Sequence, residues 1–64
     1  MDSLPEYDVH PNRDKHGVFI GGWVWEVYDA VTQGPIDGGI EGTERRAHLT
    51  GMSMRAHYER KLYG

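Results

Sequence analysis

The sequence predicts an α+β domain: a two- or three-stranded antiparallel sheet covered by one C-terminal helix over residues 16–64, preceded by an extended acidic arm over residues 1–15. Three observations carry this reading. Residues 16–31 are rich in Val, Ile, Phe, Trp and Tyr around a central Gly21-Gly22 pair. Residues 32–42 are rich in glycine and hold Ile36 and Ile40, and Thr43 opens a run of helix formers that lasts to Leu62. With 64 residues and no cysteine, the chain is one small domain that has neither a disulfide nor a thiolate metal site to staple it. Self-association is the remaining device expected to complete its core.

Taken in order, residues 1–15 carry Pro5, Pro11, Asn12 and several acids with no sustained period, which predicts an extended or irregular arm. Leu4, Tyr7 and Val9 can pin that arm to a neighbouring surface. In the next segment Gly21-Gly22 reads as a two-residue hairpin turn, because both glycines can take the positive φ that such turns require. Pairing Ile20 with Trp23 across the turn gathers Val18, Ile20, Trp23, Trp25 and Val27 on a core face, and puts Phe19, Val24, Glu26 and Tyr28 on the other. A helix is the rival, since Trp23, Val24, Val27, Tyr28 and Val31 also recur at helical spacing. Strand is preferred because seven of the ten residues 23–32 are β-branched or aromatic. The two readings differ on Trp25, which only the strand buries with the core.

Gly34-Pro35 marks a turn, and Ile36 and Ile40 can face the core from a short strand weakened by glycine. The helix is the clearest element. Thr43 supplies an N-cap hydroxyl, Glu44 an acid for the first turn, and Arg60 and Lys61 cations for the last. Ala47, Gly51, Met54, Tyr58 and Leu62 form one stripe about 80° wide that should lie on the sheet, with Gly51 marking close packing. Leu49, Met52, Ala56 and Tyr63 form a second stripe on the opposite side. One sheet and one helix can bury only one of these faces, so the second stripe is expected to be an interface, together with Phe19 and Tyr28 on the outer sheet face.

Charge is divided along the chain. Residues 1–42 hold eight acids against Arg13 and Lys15, a net charge of −6, whereas residues 43–64 set Arg45, Arg46, Arg55, Arg60 and Lys61 against Glu44 and Glu59, a net charge of +3. An acidic whole argues against a dedicated DNA-binding protein. Those five basic residues nevertheless make RNA or DNA binding through the helix the alternative function. Apolar runs are short, so no membrane span or leader is expected and the chain reads as cytoplasmic.

Catalytic signatures are absent. Asp8, His10, Asp14 and His16 alternate without matching a metal-ligand motif, so no metal and no cofactor are expected. His48 and His57, nine residues apart, point in opposite directions on a helix and cannot share a ligand. The glycines of residues 38–42 lead into a helix N-terminus, as phosphate cradles do, but lack the lysine of a P-loop. Ser3 and Ser53 have no histidine and acid at recognisable spacing, and the chain is read as non-enzymatic.

Trp23-x-Trp25, a turn, Gly39-x-x-Gly42-Thr43 and then Ala47 on a helix resemble the pattern of short bacterial and phage proteins in which a strand meander precedes one helix. The composition, rich in Gly, Arg, Ala, His and Trp and poor in Lys and Asn, is similar to that of actinobacteria and their phages. Over residues 16–62 the inferred topology also resembles the partial double-stranded-RNA-binding fold of HicA and HicB toxin–antitoxin proteins. HicA-like toxins use a catalytic histidine on a strand. His16 precedes the first expected strand without that family's Gly-Ser-His context, so an RNase role is not carried onto it. The resemblance implies a small accessory or host-interaction protein that acts by binding. The expectation is therefore a homodimeric protein-interaction module, plausible as a phage-type factor directed at a host protein.

Overall fold

Alternation of side chains, rather than the glycine pair, organises the sheet. The computed structural model describes residues 5–62, in the order β1 (Glu6–Arg13), β2 (Phe19–Tyr28), β3 (Pro35–Glu41) and α1 (Glu44–Leu62). The three strands form one antiparallel meander in the order β1-β2-β3, covered on one face by α1. In register, Tyr7 opposes Val27, Val9 opposes Trp25 and Pro11 opposes Trp23, so every second residue of β1 and β2 points at the helix. The residues between them, Glu6, Asp8 and His10, lie opposite Tyr28, Glu26 and Val24 on the outer face.

The first chain reversal is not at Gly21-Gly22. It lies at residues 14–17, where Gly17 N–H donates to the Asp14 carbonyl (3.0 Å) and Asp14 N–H to the Val18 carbonyl (2.9 Å). Asp14 Oδ1 also accepts from the backbone N–H of His16 and of Val18, and Gly17 takes φ 81°. That is a type I turn closed by a left-handed glycine, a common three-residue hairpin loop. Gly21 and Gly22 do adopt positive φ, 99° and 85°, but within β2. There the register slips between Pro11 and Arg13, leaving residues 20–22 to bulge against Asn12, whose side-chain amide donates to the Gly21 carbonyl (3.0 Å). The glycines thus kink a continuous strand, because residues 6–13 offer it a longer ladder than a turn at 21–22 could.

Two expectations change with this. The stretch read as an arm is largely the edge strand β1, whose Pro11 and acids are the features that keep an edge from pairing with other chains. Val18 and Ile20, expected in the core, are each 59% exposed, because the strand runs on past the helix instead of folding back. Trp25, by contrast, is 6% exposed on a strand, as the β reading requires.

The core is small. Trp25, Val27 and Ala47 are buried, and Tyr7, Val9, Trp23, Ile36, Met54 and Tyr58 pack around them. Two glycines make the fit possible. At Gly39, directly across from Trp25, a Cβ would lie 2.9 Å from the indole Nε1, so the ring lies flat on the β3 backbone. At Gly51 a Cβ would meet the Tyr7 ring at 2.7 Å, which makes this buried position of α1 the seat of a β1 side chain. Between Val27 and Tyr28 a second bulge leaves Ile36 unpaired, and this lets both Ile36 and Asp37 reach the helix side. The Tyr58 hydroxyl donates to Asp37 Oδ2 at 3.0 Å, an acceptor that holds the phenol's proton above its ordinary range. At the N-terminal side Pro5 is fully buried and its carbonyl accepts from Arg55 Nε (2.8 Å).

Candidate interaction surface

Thr43 begins α1 as its N-cap, with its hydroxyl accepting from Arg46 N–H (3.2 Å) and its carbonyl from Ala47 N–H (3.0 Å). The cap fixes the helix phase. Ala47, Gly51, Met54 and Tyr58 then meet the sheet, while Leu49 and Met52 are turned to the far side, 55% and 52% exposed. Ala56, on the same side, is half-buried. Tyr63 and the side chain of Leu62 lie outside the described residues.

The two sheet residues of the expected interface are not brought together. Without a reversal at 21–22, Phe19 keeps the parity of Trp23, and their rings approach with centroids 6.2 Å apart. Tyr28 is on the outer face, paired with Glu6, where these two residues line a cleft of about 260 Å³ with Asp29, Ala30 and Gln33. Val18, Phe19 and Ile20, around the start of β2, are exposed as well, and Ile40, expected to face the core, is not buried: it pairs with Val24 on the outer face and leans over Gly22. For Val18, Phe19 and Ile20 the sequence signal was the Asp14-x-x-Gly17 turn, which moves them away from the core.

The basic residues of the helix are dispersed in role. Arg55 holds the Pro5 carbonyl, Arg46 Nε lies 3.7 Å from Glu41, and the Lys61 ammonium sits 6.0 Å above the Tyr58 ring. Arg45 and Arg60 are exposed and have no hydrogen bond or ion pair among the described residues. The outer sheet face is acidic. Glu26 accepts from His10 Nε2 at 3.0 Å while His10 Nδ1 faces the Pro11 carbonyl at 3.2 Å, so both ring nitrogens meet acceptors. Those contacts raise the His10 pKa, and the same bond, with one from Tyr28, lowers that of Glu26.

No family model, no curated protein and no solved structure matches the chain. What the structure shows is three antiparallel strands and a C-terminal helix, without a family attached to them.

The chemistry-bearing side chains remain apart. His16 lies in the exposed turn before β2, and among the described residues no three His, Asp or Glu side chains converge as metal ligands would. His48 Nδ1 shares a hydrogen bond with the Tyr7 hydroxyl (3.3 Å), and His57 packs edge-on against Tyr58 with ring centroids 5.0 Å apart. Gly38 and Gly39 belong to β3, and Gly39 serves the Trp25 ring. Among the described residues no helix is long and apolar enough to cross a membrane.

Proposed function

We propose that this chain is a protein-interaction module whose working surface is the outer face of α1. The observation that carries the reading is the alignment of Leu49 and Met52, each more than half exposed, on the side of the helix that the sheet leaves bare. Among the described residues the buried apolar core is Trp25, Val27 and Ala47, which leaves little apolar area to stabilise the chain alone, and covering this face with a second copy or another protein would add to it. The composition, similar to that of actinobacteria and their phages, directs the search for a foreign partner to a host component.

Leu49→Asp and Met52→Asp test this together. Both should abolish association, read as solution mass by light scattering or as partner binding, while circular dichroism stays unchanged. Association that survives both substitutions would exclude the face. The second reading, nucleic-acid binding, is favoured by the exposure of Arg45, Arg46, Arg60 and Lys61. It requires an affinity for RNA or DNA that falls steeply between low and physiological salt as counterions are released. The engagement of Arg46 by Glu41, and of Arg55 by the Pro5 carbonyl, reduces the charge free to do so.

A further inference from the structure

Steps of three and four residues along the outer face of α1 define a seam: Arg45, Leu49, Met52, Ala56 and Glu59. Arg46, Ser53 and Arg60 run along one flank of that seam, and His48 and Arg55 along the other. The seam is apolar over its middle two turns and both flanks are basic, with Glu59, half-buried, the one acid on the face. In a helix pair the flanking positions decide which partner is accepted and in which direction. A second copy laid parallel would set Arg55 against Arg60 of that copy, and one laid antiparallel would set Arg46 against Arg60 of that copy. Either orientation confronts like charges. Of the chain's own acids, Glu41 already lies beside Arg46 at 3.7 Å and Glu59 sits on the seam, while Glu6, Asp8 and Glu26 lie on the outer sheet face, away from α1.

We infer that the occupant of this face is an amphipathic helix of another protein, with an aliphatic seam flanked by carboxylates. This rests on the reading of α1 as the working surface and adds the chemistry of the partner. Arg60, on one flank, and Arg45, at the N-terminal end of the seam, are the selecting charges: they stand about 22 Å apart along the helix, at 1.5 Å per residue, and neither makes a hydrogen bond or ion pair among the described residues. Leu49 and Met52 supply the apolar contact between them. Acidic flanks on the partner relieve the repulsion that a second copy would meet, so the same residues that attract the partner discourage self-pairing.

The test uses two synthetic helical peptides matched in length to α1, with leucine along the seam and either glutamate or lysine on both flanks, titrated by fluorescence anisotropy. The intact chain should bind the glutamate peptide at least about tenfold more tightly than the lysine peptide, with a preference that narrows as salt is raised. Arg45→Glu with Arg60→Glu should reverse the preference, and circular dichroism should be unchanged because neither arginine bonds within the fold. Leu49→Asp should abolish binding of both peptides. Equal binding of the two peptides, or binding of neither, overturns the inference. Equal binding that Leu49→Asp still removes would leave the helix face as the working surface and reject only the acidic partner. A wild-type dimer by light scattering that dissociates on Leu49→Asp would make the occupant a second copy and also overturn the inference.

Discussion

Gly51 and Tyr7 carry the tightest contact between sheet and helix. Helix propensity alone favours alanine over glycine by up to about 1 kcal/mol. A Cβ there, however, would lie 2.7 Å from Cδ2 of the Tyr7 ring and 3.3 Å from its Cγ, so the ring or the helix would have to shift. Overpacking of this kind costs about 1–3 kcal/mol, so Gly51→Ala should destabilise the chain in chemical denaturation, and Tyr7→Ala in the same chain should remove most of that penalty. His10 and Glu26 form a second pair of residues whose effect depends on pH. The raised His10 pKa adds stability that is complete below the ordinary value of 6.5 and lost as pH rises through the folded value. The lowered Glu26 pKa adds stability present above 4.5 and lost as pH falls through its folded value. Both contributions are complete between those limits, and because the pair is on the surface they amount to no more than about 1 kcal/mol. An NMR titration should therefore show the His10 midpoint falling toward 6.5 in Glu26→Gln; an unmoved midpoint would mean that the pair does not form.

Among the elements, α1 depends most visibly on its N-cap, Thr43. Thr43→Ala removes the acceptor for Arg46 N–H and should cost about 1 kcal/mol in thermal unfolding, with Thr43→Ser restoring most of it. This cap, and the division of the helix into two stripes, could be read from the sequence because both follow from local chemistry and a 3.6-residue period. The strands were less legible. Pro11, Asn12 and the acids of β1 suggest an arm because proline and charge also mark protected edge strands, and only the ladder with β2 distinguishes the two. Gly21-Gly22 drew the turn away from residues 14–17, although Asp14 and Gly17 carried its true signature. As for the surface, the exposure of Leu49 and Met52 followed from helical spacing. The commitment of Arg55 to Pro5, across 50 positions, and of Arg46 to Glu41 did not, because partners of that kind are set by tertiary packing.

At the scale of the whole molecule, the first and last elements hold each other. Helix α1 packs on β1 as well as β2, with Tyr7 seated on Gly51 and Arg55 bonded to the Pro5 carbonyl. A chain lacking residues 1–13 should consequently lose its cooperative thermal transition, whereas a dispensable arm would leave that transition in place. The order of the elements has a further consequence for biosynthesis. Because the covering helix is the last of the four to be made, Trp25, Val27 and Tyr7 cannot be covered until residues 44–58 have been translated. Slow codons placed in that window should lower the yield of folded protein by lengthening the exposure of an apolar surface, and fast ones should raise it, with no change in the amino-acid sequence.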